Sequence, residues 1–237
     1  GKYGEEGDKL LFRVLDSGDP FDKIDFASYK TEDGYKTAAL SSALCERGLR
    51  YDLTVPLARF VVQHQSEIVF PFKRSQIQPV WRADRPQKGR YREFYQCDVD
   101  AIGSTSQLLE LELVQMVEEV FAKLDLRVLL KINNRKVLSG LAEVCGFPEK
   151  LTDITIAIDK LEKVGLKEVK AELSDKGLSK EAIDFLEPVL KLSGGFEEKI
   201  AVMRKVLASS ETGLKGLDEL EELFGYISAA QVKLPIE

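Results

Sequence analysis

From Leu10 to Leu15 apolar and polar positions alternate, with Leu11, Arg13 and Leu15 against Leu10, Phe12 and Val14. This predicts a strand, closed by the turn-forming run Ser17-Gly18-Asp19-Pro20. Residues 19–50 lose the rhythm; they are polar and turn-rich, and read as a loop or a mobile insertion. Thr54 and Pro56, followed by Leu57, Phe60 and Val61, predict a short helix over 56–65. "QIQPVWRAD" then reads as a strand interrupted at Pro79 and "REFYQCDVDAIG" as a second, with the turn-prone "RPQKG" between them. Together they predict a hairpin over about 76–102. Ser104 and Gln107 fit a capping box in front of the most strongly periodic segment. There Leu109, Leu113, Met116, Val117, Val120, Phe121 and Leu124 form one stripe and predict a helix over 105–124. "LRVLLKIN" reads as another apolar strand, and "RKVLSGLAEVCGF" as a helix stopped by Gly146 and Pro148.

After Pro148 aromatic residues thin out and lysine and glutamate alternate. Short amphipathic helices there are expected to be separated at Gly177, Gly194-Gly195, Gly213 and Gly216. The pattern therefore divides the chain into an α+β part, residues 1–146, with an antiparallel sheet flanked by helices, and a small all-helical domain, residues 147–237.

Composition narrows this little. The 237 residues are 44% hydrophobic, enough for one large core or two smaller ones. No stretch approaches the ~20 consecutive apolar residues of a membrane helix, and the opening octapeptide has no apolar signal core, so a cytoplasmic location is expected. Cys45, Cys97 and Cys145 lie far apart and His64 is the one histidine, which supports neither a disulfide framework nor a zinc site. The cysteines read as free thiols packed like small apolar side chains.

Charge changes the picture. The net charge of −6 offers nucleic acid no bulk attraction. Between Lys73 and Arg92, however, seven basic residues (Lys73, Arg74, Arg82, Arg85, Lys88, Arg90, Arg92) face one acid, Asp84, a local sum of +6. A lysine-rich face at Lys160, Lys163, Lys167 and Lys170 is a second, weaker candidate for RNA contact, in a segment where acids outnumber bases. Solvated helix faces explain it more simply.

Side chains of a strand alternate between faces. Counting back from Asp100 places Asp98, Gln96, Phe94, Arg92 and Arg90 on one face, with Val99, Cys97, Tyr95 and Glu93 on the other. The first row, cations then a ring, an amide and two carboxylates, is unlike a core face. It suits a ligand with phosphates at one end, a flat ring beside them and an amine or polar heterocycle at the other. Arg82 and Arg90 can grip phosphates with permanently charged forks, and Phe94 offers a stacking surface. Gln96 and Asp100 can exchange hydrogen bonds with a small polar substrate.

At these residues the chain resembles class II aminoacyl-tRNA synthetases. Arg82, Asp84, Arg90 and Phe94 match that class's motif 2, and "RPQKGRYREFYQ" with "YDLTVPLARF" is similar to the histidine–tRNA ligase family. The likeness covers residues 1–146, with 147–237 standing where that family carries a helical insertion domain. It implies two steps: histidine attacks the α-phosphate of ATP to give histidyl-adenylate and pyrophosphate, and the histidyl group passes to the terminal ribose of its tRNA. It further implies that Arg82 holds the α-phosphate and the substrate carboxylate as the catalytic arginine. Asp84 would meet the adenine amino group, Arg90 the γ-phosphate and Phe94 the adenine face. Histidine would be bound by Asp52, Leu53 and Thr54 of "DLT", by Arg82, and by Gln96 and Asp100. Magnesium on the triphosphate, a homodimer, and L-histidine, ATP and histidine tRNA as partners belong to the same implication; no membrane partner does.

The chain also departs from the family. Asp84 stands where glutamate is commoner, and motif 1, motif 3, the histidine-specific Arg-Gly-Leu-Asp-Tyr-Tyr type motif and the anticodon-binding domain are not found. The expectation is an internal piece of the catalytic region with the insertion, inert by itself. A second reading is the synthetase-like regulatory subunit of ATP phosphoribosyltransferase, whose mark would be loss of the paired arginines; Arg82 and Arg90 are both present. A third is an RNA-binding module on the basic hairpin, for which the face offers one aromatic residue, Phe94.

Overall fold

The computed structural model describes Gly7 and residues 9–237. Residues 1–6 and Asp8, part of the octapeptide read as lacking a signal core, lie outside the described residues. The chain packs as two compact units, Gly1–Ser104 and Thr105–Glu237.

In the first unit the strands form three antiparallel pairs: β1 (Arg13–Val14) with β4 (Arg47–Gly48), β2 (Lys30–Thr31) with β3 (Gly34–Tyr35), and β5 (Phe72–Trp81) with β6 (Glu93–Ile102). The strand expected over 10–15 shrinks to two residues because its partner offers only two. Residues 19–50, expected as a loop, hold β2, β3 and the helices Phe26–Tyr29 and Thr37–Leu44. These are set by local bonds, such as Asp25 Oδ1 accepting from Ala27 N at 3.1 Å, and neither helix buries a residue. That is why no apolar period announces them. The next helix runs Thr54–His64, and Asp52 Oδ1 accepts from Val55 N at 3.2 Å across its first turn. Leu57 from this helix, Leu53 before it and Val80 from β5 are this unit's buried apolar side chains among the described residues.

The hairpin begins four residues earlier than expected, its register running from Phe72 opposite Ile102 to Trp81 opposite Glu93. Pro79 is tolerated because a two-stranded sheet leaves each strand an edge without ladder bonds. Its carbonyl accepts from Arg50 Nε at 2.9 Å.

In the second unit the periodic helix spans Gln107–Lys123, and its cap is Ser106, not Ser104. Ser106 Oγ accepts from Leu108 N at 3.3 Å, which makes Gln107 the first helical residue rather than the third, so the expected capping box does not form. Val114 faces inward onto Leu223 and Ile227. "LRVLLKIN" forms no strand beyond an isolated parallel bridge between Leu130 and Ile236. The helix Arg135–Val144 ends before Gly146, whose φ of 77° is a left-handed conformation that glycine adopts without strain.

Helices Leu151–Asp159, Leu161–Val164, Leu166–Asp175, Lys180–Leu190, Phe196–Val206 and Glu211–Ala229 follow. They close around a core in which Leu141, Ile154, Val169, Leu173, Leu186, Leu207 and Leu217 are all but fully buried. Gly213 and Gly216 do not separate helices as expected; they lie inside Glu211–Ala229, where the helix presses against Arg135–Val144. A Cβ on Gly140 would stand 2.5 Å from Gly213 Cα, and one on Gly216 would stand 2.8 Å from Val137 N. Val137 and Leu141 of the helix Arg135–Val144 share the core of the later helices. Two of the four lysines on the candidate RNA face are tied within the unit: Lys160 to Glu172 at 2.6 Å, and Lys170 to Glu187 and Asp184. No described helix is long and apolar enough to cross a membrane.

Candidate functional site

The hairpin has two unlike faces. Arg74, Gln76, Gln78 and Val80 of β5 lie opposite Asp100, Asp98, Gln96 and Phe94 of β6, and all eight are buried or half-buried. On the other face Ile77 is 65% exposed and Tyr95 68%. The alternation read from the sequence therefore holds from Phe94 to Asp100, and the polar side is the covered one. It does not extend to Arg92 and Arg90, because β6 starts only at Glu93.

At one end stands Arg82. The chain Arg50–Thr54 runs beside the end of β5, with Trp81 N donating to Arg50 O at 3.0 Å. Arg82 Nε donates to Tyr51 O at 3.2 Å, and its guanidinium lies 4.3 Å from the Tyr51 ring centroid and 5.2 Å from that of Phe94. Two aromatic faces and a carbonyl thus fix the plane of the cation, a preorganisation that flexible surface arginines lack.

The loop beyond closes on itself. Gln87 and Arg90 exchange backbone bonds around Gly89, whose φ is 79°. Arg90 Nη1 lies 3.7 Å from Asp84 Oδ1, and Arg92 Nε donates to Asp84 O at 3.2 Å. Arg90 is 63% exposed and sits at the tip, outside the strand face on which the sequence placed it.

At the other end Arg74 and Asp100 face each other across the two strands, with Arg74 Nη2 2.9 Å from Asp100 Oδ2. They meet as an ion pair, off the axis of a hydrogen bond. Arg74 Nη2 also donates to Leu53 O at 3.1 Å, Nη1 donates to Gln76, and Gln76 Nε2 donates to Gln78 Oε1 at 3.1 Å. Among the described residues Arg74 Nε, Gln96 Oε1 and Asp100 Oδ2 are buried without a hydrogen-bond partner.

Of the residues proposed from the sequence, this unit joins Arg82 to Phe94 and Leu53 to Asp100 through Arg74. Leu53 has a fully buried side chain and contributes its carbonyl; Thr54 is exposed at the first turn of its helix. Tyr51 and Arg74 were not singled out. Arg74 had a signal, its even spacing with Gln76 and Gln78 on the strand, but it was counted only as one charge in a basic run. Among the described residues no group of three or more His, Cys, Asp or Glu side chains is placed to hold a metal ion.

A two-stranded hairpin with a covered polar face, short helices around it and an all-helical unit after it define an α+β protein of class II synthetase-like fold. The crystal structure of histidyl-tRNA synthetase from Nostoc sp. PCC 7120 is similar to it, with a TM-score of 0.72 and 29% identity over 80% of this chain and 44% of that one. An ATP phosphoribosyltransferase regulatory subunit/histidyl-tRNA synthetase from Bacillus halodurans C shares the fold, with a TM-score of 0.66 and 20% identity over 97% of this chain and 52% of that one.

The chain belongs to the histidyl-tRNA synthetase family, whose pattern it matches over residues 43–237. A histidine–tRNA ligase of Phocaeicola vulgatus is 58% identical over 100% of this chain and 52% of the relative, and one of Porphyromonas gingivalis is 55% identical over 98% and 50%. The chain spans about half the length of the curated relatives it matches.

Proposed function

We propose that this chain supplies part of the active site of a histidine–tRNA ligase, which activates L-histidine with ATP and transfers it to histidine tRNA. The observation that carries the reading is the clamping of Arg82 between Tyr51 and Phe94 at the end of a covered polar strand face. A histidine carboxylate oxygen attacks the α-phosphorus of ATP, the bond to the bridging oxygen breaks, and pyrophosphate leaves with its electron pair. Charge builds on the α-phosphate oxygens, where a guanidinium already fixed in plane lowers the barrier without reorganising. Arg82 has that role. Phe94 gives the adenine a face to stack on, Asp84 accepts from its amino group, and Arg90 meets the γ-phosphate from the loop tip. Asp52 and Thr54, with the Leu53 backbone, receive the α-amino end of histidine, and Gln96 and Asp100 its amine and imidazole. Magnesium enters as part of the substrate, MgATP.

In this reading residues 1–146 belong to the catalytic domain, residues 147–237 form the insertion, and the protein works as a cytoplasmic homodimer, which sedimentation of the full-length protein tests. The regulatory-subunit reading is not better supported: the Bacillus halodurans C structure whose name includes it shares the fold at 20% identity.

The test is histidine-dependent exchange of labelled pyrophosphate into ATP by the full-length protein. Arg82→Ala is expected to lower the exchange rate by roughly 10²- to 10³-fold. Exchange driven equally by other amino acids, or untouched by Arg82→Ala, would sink the proposal.

A further inference from the structure

We infer that Arg74 is a positioning residue that sets the spacing of the histidine-binding groups, an inference that rests on the reading just proposed. Its side chain is 12% exposed and touches two separate stretches of chain: Leu53 O at 3.1 Å, in the segment Asp52–Thr54, and Asp100 at 2.9 Å, on β6. These stretches carry the groups assigned to the α-amino end and the ring of histidine. One planar cation therefore fixes the distance between the two ends of the amino-acid site. Its third partner, Gln76, is held in turn by Gln78, so the fork is braced along the strand.

Lysine cannot substitute here. A single ammonium offers a point charge and no fixed angle between donors, whereas the guanidinium donates to a carbonyl and an amide and meets a carboxylate as an ion pair. Fold stability does not account for the arrangement either. Buried ion pairs are commonly matched or bettered by apolar side chains of the same volume. This one also leaves Arg74 Nε buried with no partner among the described residues.

The residues assigned to ATP, namely Arg82, Asp84, Arg90 and Phe94, are not among the contacts of Arg74. The inference thus separates the two substrates. In the full-length protein Arg74→Met, which keeps the stem and removes every donor, is expected to raise the KM for histidine between roughly tenfold and a hundredfold in pyrophosphate exchange. The KM for ATP should stay within about twofold, as for any binding group left untouched. Arg74→Lys should fall between the two and keep the fold if the Met variant does not. Because Arg74 acts through Asp100, the effects of Arg74→Met and Asp100→Asn should be less than additive when combined.

Equal rises in both KM values, a histidine KM unmoved in Arg74→Lys and Arg74→Met, or strict additivity with Asp100→Asn would overturn the role of Arg74 while leaving the ligase reading intact. A wild-type protein with no histidine-dependent exchange would overturn the ligase reading and this inference with it.

Discussion

Adding one methyl group at Gly140 tests the packing of the helical unit directly. Gly140 lies in the interior of Arg135–Val144, where alanine would ordinarily improve a helix by about 1 kcal/mol. Here the new Cβ would stand 2.5 Å from Gly213 Cα, 2.9 Å from Gly213 N and 2.9 Å from Ser210 Oγ. Two of the three atoms are backbone, and the third is pinned: Ser210 Oγ donates to Glu143 at 2.5 Å and accepts from Gly213 N at 2.9 Å. No side chain can turn aside, so the helices must separate and loosen Val137, Leu141 and Leu217 behind them. Overpacking of this kind costs about 3 kcal/mol at the upper end of its usual range, leaving a net loss of about 2 kcal/mol after the helix gain. Thermal unfolding followed by circular dichroism should show a Tm lower by about 4–8 °C. Gly225→Ala is the control. It makes the same change inside Glu211–Ala229, where nothing lies within 4 Å of the added atom, and should stabilise by about 0.5–1 kcal/mol. If Gly140→Ala melts at or above the parent, or if the two variants shift the same way, the tight crossing is not what holds these helices.

Two further outcomes follow from side-chain chemistry in the same unit. Hydrogen bonds from Lys170 and then Lys191 hold the Glu187 carboxyl down at about 2, below its ordinary 4.5. A depressed carboxylate adds stability that is whole above the ordinary value and fades as pH falls from about 4.5 towards about 2, so Glu187→Gln should flatten that part of an acid-unfolding curve. An unchanged acid limb would mean these pairs are made only transiently in solution. Burial pushes the Cys145 thiol up to about 11, whereas Cys97 is exposed on β6. Iodoacetamide at pH 8 should therefore label Cys97 in the native protein and Cys145 only on unfolding, read by peptide mass mapping.

What the sequence made legible was whatever repeats. The two-residue period from Phe94 to Asp100 and the helical period after Gln107 both appear where expected. A template misled at the helix start: Ser104 with Gln107 matches the capping box, yet the cap is Ser106, which has Leu109 three residues on and matches no such template. Glycine misled more deeply. Gly213 and Gly216 read as breaks because glycine weakens helices, yet here its missing side chain lets two helices touch, a property of the partner helix and not of the local chain. Within the site, Arg82 and Phe94 are neighbours as expected, while Tyr51, the second ring on Arg82, opens the string "YDLTVPLARF" yet has no periodicity that marks it as a partner of Arg82. Arg74 was hidden by being one cation in a run of seven, since a charge count does not say which cation faces inward.

Which face of the hairpin is covered could not be read from alternation alone, and the answer bears on why the site exists. A strand pair shaped by stability alone would turn Ile77, Tyr95 and Val99 inward and leave the glutamines, Arg74 and Asp100 to water. A slip of one residue in one strand would turn that strand over. What opposes it is polar: Arg74 reaches both Asp100 and Leu53 O only in the register with Arg74 opposite Asp100. The polar network therefore adds to Val80, fully buried on the same face, in specifying the pairing. It does so at a cost, because Gln96 Oε1, Arg74 Nε and Asp100 Oδ2 stay buried without hydrogen-bond partners among the described residues.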